Sequence, residues 1–129
     1  MDFTQAIKSG FANYVNFSGR ASRSAYWYWI LFTVIGGIGT EILDTAIFIY
    51  HPGVSPLNSP LNALFTLVAL LPTIAVAMRR LHDIDRTGWW MLLVFTGIGI
   101  FVLIFWDCQK GTAGANRFGP DPLAVVTPD

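Results

Sequence analysis

The stretch LNALFTLVALLPTIAVAM at residues 61–78 carries no formal charge and runs directly into RRLHDIDRT at residues 79–87. Eighteen helical residues rise about 27 Å, close to the roughly 30 Å hydrocarbon layer of a bilayer. Pro72 lies inside the run and leaves one backbone carbonyl without its usual donor, which a neighbouring hydroxyl, helix or water has to replace. The stretch therefore predicts a kinked transmembrane helix.

Two more apolar runs flank this one. Residues 26–50 begin with the aromatic sequence YWYW, and residues 88–106 are framed by tryptophans at both ends. Aromatic rings of this kind are typical of the membrane–water interface. The intervening residues 51–60 contain three prolines and a glycine, which favour a short loop. The sequence thus predicts three transmembrane helices, over residues 26–50, 61–78 and 88–106.

The two ends of the chain are different in character. Phe3, Ile7 and Phe11 recur at helical spacing among polar residues, which predicts an amphipathic helix over residues 3–17 lying at the membrane interface. The alternative for this helix is a cap packed on the other helices. Residues 107–129 are rich in glycine and proline and predict an irregular tail, with a fixed turn over residues 116–122.

Composition agrees with a membrane protein. Only 12% of the 129 residues are charged, about half the usual ~25%, while 53% are hydrophobic, and eight basic residues balance eight acidic ones. We therefore predict one all-α integral membrane domain over residues 1–129, with no nucleic-acid partner. Cys108 is the only cysteine, so the chain has no intrachain disulfide.

The distribution of basic residues predicts an orientation. With three spans, six lysines and arginines lie on the side of the N-terminus and residues 79–87, and two lie in the tail. The positive-inside rule then places the N-terminus in the cytosol and the C-terminus outside.

The strongest candidate site is basic. Guanidinium groups bind phosphate bidentately, so a cluster of arginines at one membrane face predicts a site for anionic lipid headgroups or for a partner. An equally good reading is that these arginines are topology signals with internal ion pairs. The predicted site residues are Arg20, Arg23, Arg79, Arg80, His82, Asp83 and Arg86.

Glu41 and Asp44 form a second candidate, a polar site within the first span. The two carboxylates are three residues apart and share a helix face. Carboxylates inside a membrane are costly and often serve proton or cation transfer. Their position near the end of the span favours the simpler interpretation that they face the interface.

Three motifs occur in the order GRASRSAYWYW at residues 19–29, RRLHDIDRTGWW at 79–90 and GTAGANRFGPDP at 111–122. Together they resemble the family called domain of unknown function 805, whose members are bacterial inner-membrane proteins. The resemblance implies a small helical protein of the bacterial inner membrane and brings no activity, substrate or cofactor. The family commonly has an acidic residue where this chain has Ala25, which removes one potential partner for Arg20 or Arg23.

These observations leave three hypotheses for function. The first is a lipid-associated or partner-binding structural module, whose partners are membrane lipids, a second copy of the chain or other membrane proteins. The second is a small oligomeric transporter or channel, lined by the polar faces that carry Glu41, Asp44, Thr66 and Thr73. The third is an enzyme acting on lipid phosphates with His82 and Asp83 as acid and base. Zinc-helix, nucleophile-elbow and phosphate-loop motifs are absent, so we predict neither a metal nor another cofactor and favour a protein without catalytic activity.

Overall fold

The computed structural model describes residues 1–48 and 59–124, and the elements in these ranges are helical. The helices are α1 (Phe3–Ala12), α2 (Arg23–Phe48), α3 (Pro60–Asp83), a 3₁₀ helix (Gly88–Thr96) and α4 (Ile98–Cys108). Most of the predicted first loop, residues 51–58, and the last two residues of the predicted first span lie outside the described residues.

Helices α2 and α3 form the long pair of the fold. They contain 26 and 24 residues, which gives lengths of about 39 and 36 Å. Both are long and apolar enough to cross a membrane, with mean hydropathy of 1.6 and 2.1 over their most apolar windows. Their large apolar side chains point outward, as Ile42 and Leu67 illustrate. Two of the three predicted spans therefore have a helix of suitable length.

The core lies near the start of α2 and the end of α3, which together we call the polar end. Ala21, Ala25, Trp29 and Val76 form its buried apolar cluster. Trp29 is fully buried, and its indole N–H donates to Thr73 Oγ1 at 3.0 Å. The small side chains of Ala21 and Ala25 allow the helices to approach closely enough to enclose the Trp29 ring.

Helix α1 packs against α2. Asp2 caps its N-terminus in a capping box with Gln5, and the helix ends at Ala12, five residues earlier than predicted. The ring of Phe3 contacts Tyr28 edge-on, and that of Phe11 contacts Trp29. The predicted apolar stripe is therefore used for packing, as in the alternative of a cap on the other helices.

Tyr14 supplies the donor that Pro72 removes. A proline at position 72 cannot donate to the carbonyl four residues earlier, which belongs to Val68. The Tyr14 hydroxyl donates to that carbonyl at 2.5 Å. The prediction that a neighbouring group satisfies this carbonyl is confirmed, and the bond attaches the segment after α1 to the middle of α3.

Residues 88–106 are not one continuous helix, which corrects the form predicted for the third span. The 3₁₀ helix ends at Thr96, Gly97 adopts φ +72°, and α4 starts at Ile98. The chain folds back there, because the rings of Trp90 and Trp106 lie 5.5 Å apart near the two ends. Each arm is about 16–18 Å long, roughly half the hydrocarbon thickness. We call residues 88–108 the hairpin.

The tail also departs from its predicted position. Because the hairpin returns the chain to where it began, the tail lies at the polar end, beside Arg20 and residues 79–87. Thr112 N–H donates to the Asp83 carbonyl at 2.7 Å, and the Asn116 side chain donates to the His82 carbonyl at 2.9 Å. The N-terminal segment and the tail are thus on the same end of the long helix pair, and not on opposite ends.

The predicted turn in the tail is confirmed. Asn116 and Gly119 exchange two backbone hydrogen bonds of 3.0 and 3.1 Å. The Asp121 carboxylate accepts from the N–H groups of Gly114 and Leu123. These bonds hold the pKa of Asp121 below its usual value.

Candidate functional site

Asp83 is the centre of a buried ionic cluster at the polar end. Its Oδ1 lies 2.9 Å from Arg20 Nε, and its Oδ2 lies 2.6 Å from Arg80 Nη1. All three side chains are almost fully buried. A buried cation needs an opposite charge and complete hydrogen bonding to offset the loss of water, so one carboxylate here balances two guanidinium groups. We call these three residues the ionic cluster.

Backbone carbonyls satisfy most of the remaining donors of the cluster. Arg80 donates from Nε to the Asp107 carbonyl at 3.1 Å, and further to the carbonyls of Ala21 and Gln109. Arg80 therefore joins α3 to the segment before α2 and to the end of the hairpin.

Arg20 joins the ionic cluster to the tail in the same way, by donating to backbone carbonyls. Its Nη2 donates to the Thr112 carbonyl at 2.5 Å, and its Nη1 donates to the Gly114 carbonyl at 2.6 Å. Gly111 is required for this approach, because a Cβ atom there would collide with the Asp83 carboxylate. The cluster thus fixes the tail, the hairpin and the N-terminal segment on one another.

Arg79 stands next to Arg80 in sequence and has a different environment. Only 5% of its surface is exposed, and its Nε donates to the Ala75 carbonyl of its own helix at 3.3 Å. The enclosed Nη2 has no hydrogen-bond partner, and none of the ion pairs among the described residues includes Arg79. Its backbone carbonyl accepts from Ala21 N–H at 2.9 Å.

His82 is held by two contacts to distant residues. Its Nδ1 lies 2.9 Å from the Gly19 carbonyl, and since a carbonyl only accepts, this nitrogen carries the proton. The imidazole stacks on Phe118 with centroids 4.1 Å apart and an interplanar angle of 3°. His82 and Asp83, the two residues that the sequence hypothesis assigned to acid–base chemistry, therefore both contact distant parts of the chain.

The other basic residues of the polar end surround the cluster. Arg86 lies over the ring of Trp106 at 3.9 Å, and Arg23 Nη1 donates to the Cys108 carbonyl at 3.4 Å. Arg117 pairs with Asp85 at 3.1 Å in an exposed ion pair, and Lys110 is exposed. Of the predicted basic residues, the structure joins Arg20 and Arg80 through Asp83 and leaves Arg23, Arg79 and Arg86 outside that ionic cluster.

A cavity of about 240 Å³ lies between the hairpin, α2 and α3. Its walls are mainly apolar, and Tyr26 and Asp107 bring polar atoms to it. Burial raises the pKa of Asp107 to about 6, although a hydrogen bond from Tyr26 and the charge of Arg80 both act to lower it. Asp107 therefore binds a proton at a higher pH than an exposed aspartate does.

Glu41 and Asp44 lie at the far end of the helix pair. Asp44 accepts from the N–H groups of Leu61 and Asn62 at 3.1 and 2.9 Å, so it caps the start of α3 from a neighbouring helix. Glu41 accepts from the Ser59 hydroxyl at 3.1 Å. The structure separates these residues from the basic ones and gives Asp44 a capping role.

Sequence reasoning missed several residues of this site. Tyr14, Asp107 and Phe118 each contact residues far away in sequence, and Asn116 was assigned only to its local turn. The signal available for Asn116 and Phe118 was the motif at residues 111–122, which accompanies the RRLHD motif. Arg20 finds its carboxylate in Asp83, so the alanine at position 25 does not leave it unpaired.

The ionic cluster holds separate segments of the chain together, because Asp83 and backbone carbonyls accept from its two arginines. Among residues 1–48 and 59–124, no group of three His, Cys, Asp or Glu side chains is arranged to hold a metal ion. What the geometry defines is a helical membrane protein with two long apolar helices, a short helical hairpin and a buried ionic cluster at one end.

The chain belongs to the family described as "Protein of unknown function (DUF805)", whose model matches residues 14–120. It is 42% identical over 111 residues to the inner membrane protein YhaH of Escherichia coli strain K12, covering 85% of this chain and 89% of that protein. Inner membrane protein YhaI of the same strain is also 42% identical, over 85% and 88% of the two chains.

A more distant relative is the uncharacterized protein YiiR of the same strain, 30% identical over 143 residues and covering 85% of this chain and 88% of its own length. No solved structure matches the chain. Family membership and the two apolar helices identify an inner-membrane protein of a family without an assigned function.

Proposed function

We propose that this protein is a lipid-associated structural module with two transmembrane helices, a re-entrant hairpin and both termini in the cytosol. The observation that carries the proposal is the gathering of basic residues at the end where the N-terminal segment, hairpin and tail meet. With two spans, all eight lysines and arginines fall on that side, and residues 49–58 contain none. The positive-inside rule then favours a cytosolic polar end.

The surface of the hairpin supports a position in the membrane. Its side chains Trp89, Phe95, Ile98, Phe101 and Phe105 are between 62% and 84% exposed. An exposed apolar patch of this kind is unfavourable in water and favourable in hydrocarbon. The short arms favour entry from the polar end and return to it, in place of a third crossing.

In this proposal, lipid headgroups bind to the basic side chains that lie outside the ionic cluster. Arg23, Arg86 and Lys110 surround the end of α4, and a basic residue near an anionic surface contributes about 1 kcal/mol to attraction. Arg20 and Arg80 are less suitable because Asp83 and backbone carbonyls occupy their donors. Phosphatidylglycerol and cardiolipin carry the anionic phosphates that such cations prefer.

The two other hypotheses receive less support. A channel needs polar side chains along a continuous path, whereas Asp44 accepts from the start of α3 and Glu41 from Ser59. A lipid phosphatase needs His82 and Asp83 free to exchange protons, whereas the first stacks on Phe118 and the second balances two arginines.

The topology is tested by labelling single cysteines with a membrane-impermeant maleimide in intact spheroplasts. In a Cys108→Ser background, Ser55→Cys should react from outside, whereas Thr4→Cys and Ala115→Cys should react only after lysis. Reaction of Ala115→Cys in intact spheroplasts would overturn the two-span arrangement in favour of three spans.

Lipid association is tested by native mass spectrometry of protein purified in mild detergent. The triple variant Arg23→Gln, Arg86→Gln, Lys110→Gln should retain fewer phosphatidylglycerol and cardiolipin molecules than the wild type. The matched control is Arg117→Gln, which removes a cation already paired with Asp85. Equal lipid retention in all three proteins would contradict the assignment of these cations to lipid binding.

A further inference from the structure

Arg79 is an unusual cation because, among residues 1–48 and 59–124, no carboxylate pairs with its buried charge. A guanidinium group carries five N–H donors. In Arg79 one of them, on Nε, donates to the Ala75 carbonyl, and within the described residues the enclosed Nη2 has no hydrogen-bond partner. In Arg80, one position further along, all three nitrogens donate to oxygen atoms.

The missing hydrogen bonds of Arg79 are energetically costly because its side chain is buried. The side chain of Arg79 is only 5% exposed, so water does not replace the missing partners of the enclosed Nη2. An uncompensated buried charge is strongly destabilising, and a protein keeps one where an opposite charge is supplied from elsewhere. The arrangement therefore points to an anion that is not part of the described chain.

The position of Arg79 indicates the class of anion. Arg79 is 18 residues from Leu61, so it lies about 27 Å along α3 from the start of that helix. If α3 crosses the membrane, this distance places Arg79 at the boundary of the hydrocarbon layer, where lipid phosphates lie. The two Nη groups form a fork that matches two oxygen atoms of one phosphate.

We propose that Arg79 binds a phosphate oxyanion at the membrane surface, through Nη1 and, once the side chain turns outward, through Nη2, and that this anion completes the fold at the polar end. The proposal rests on the lipid-associated role put forward above and makes it more specific. It separates one residue from its neighbours, because Arg20 and Arg80 have their charge balanced by Asp83. A phospholipid headgroup and free phosphate present the same chemistry.

The test compares thermal stability of the wild type and Arg79→Leu in dodecyl maltoside, which contains no phosphate. Three conditions are used: chloride alone, inorganic phosphate at equal ionic strength, and chloride with added phosphatidylglycerol. In chloride alone the variant should be at least as stable as the wild type, because it lacks the uncompensated charge. Added phosphatidylglycerol should raise the midpoint of the wild type, and Arg79→Leu should lose most of that rise.

The inorganic phosphate condition separates the two sources. A rise in the wild-type midpoint with inorganic phosphate that also depends on Arg79 identifies free phosphate as sufficient, and a rise with phosphatidylglycerol alone identifies the lipid. Arg79→Lys keeps the charge and loses the fork, so it should retain only part of the rise. If Arg79→Leu shows the same rise as the wild type, or is clearly less stable in chloride alone, the proposal is overturned.

Two controls distinguish this inference from the general proposal. Arg117→Gln, outside the membrane-spanning helices, should keep the full rise. If the triple variant of Arg23, Arg86 and Lys110 loses lipid while Arg79→Leu keeps the rise, the lipid-associated role stands and the Arg79 site fails. If Arg79→Leu alone loses the rise, the site stands and the surface cations do not bind the lipid.

Discussion

The two ends of the α2–α3 pair each bury an aspartate, and they use it in different ways. Asp83 at the polar end balances two buried arginines, whereas Asp44 at the far end accepts from two backbone N–H groups at the start of α3. Both are at most 4% exposed. The comparison shows that a buried carboxylate takes its role from its surroundings: the first compensates charge, and the second completes backbone hydrogen bonding.

The largest effect is expected for Asp83→Asn. The substitution keeps the shape of the side chain and removes the carboxylate that, within the described part of the chain, pairs with Arg20 and Arg80, leaving two buried cations. Breaking a buried ion pair in this way costs about 3–5 kcal/mol. Chemical unfolding in detergent micelles measures the loss, and limited proteolysis should show release of the tail.

The matched control for this prediction is Asp85→Asn. Asp85 also pairs with an arginine, but the side chains of Arg117 and Asp85 are 58% and 50% exposed. Exposed pairs of this kind contribute about 0–1 kcal/mol. Equal losses for the two variants would contradict the assignment of Asp83 as the centre of the polar end.

A pH dependence is expected from Asp107, next to the cluster. The pKa of Asp107 is about 6 in the folded protein, whereas an aspartate without these interactions has a pKa of 3.8. The folded state therefore binds a proton more readily than the unfolded state does. The stabilisation from this group is therefore full below pH 4 and is lost as the pH rises through 6, by about 3 kcal/mol in total. The contribution of Asp107 is measured by comparing the free energies of unfolding of the wild type and Asp107→Asn between pH 4 and 7. The stability of the wild type relative to the variant should fall as the pH rises. A difference that stays constant with pH would contradict the prediction.

At the far end, Asp44→Ala should cost about 0.5–2 kcal/mol, the range measured for loss of a helix cap. The reason is that the N–H groups of Leu61 and Asn62 lose their acceptor. Asp44→Asn keeps one oxygen acceptor and removes the charge, so it should lie between the wild type and the alanine variant. A loss from Asp44→Asn as large as that from Asp83→Asn would show that both ends depend on charge compensation, and the comparison between them would fail.

The sequence contains enough information for the long helices and for the place of the cluster. The uncharged run at residues 61–78 predicts α3, and the mixture of arginines and aspartates in RRLHDIDRT predicts that some charges are balanced internally. The fold-back at Gly97 was not predicted, because a continuous apolar run has the same pattern whether it crosses a membrane or returns halfway. Gly97 and its neighbour Gly99 were the available signal.

The hydrogen-bond partners of the arginines could not be predicted from the sequence for a different reason. Arg20 donates to carbonyls 92 and 94 residues later in the chain, and every residue carries a carbonyl. Backbone acceptors leave no trace in the amino-acid sequence, so only the fold identifies which of them lie near a guanidinium group. The same limit applies to Arg79, because the two adjacent arginines are identical in sequence and differ only in what surrounds them.

The smallest effect is expected for Tyr14→Phe, which tests whether the contacts of the polar end reach the middle of α3. Tyr14→Phe removes the hydroxyl that donates to the Val68 carbonyl, and loss of one hydrogen bond to a neutral group costs about 0.5–1.5 kcal/mol. Pro72→Ala restores an N–H at position 72, which can donate to the same carbonyl within the helix. In the Pro72→Ala background, Tyr14→Phe should therefore cost less than in the wild type, and the four unfolding free energies give the coupling directly. A coupling near zero would mean that the Tyr14 hydroxyl does not act through the Val68 carbonyl, and that the attachment of α1 to the long helices rests on its ring contacts, such as those of Phe3 with Tyr28 and of Phe11 with Trp29.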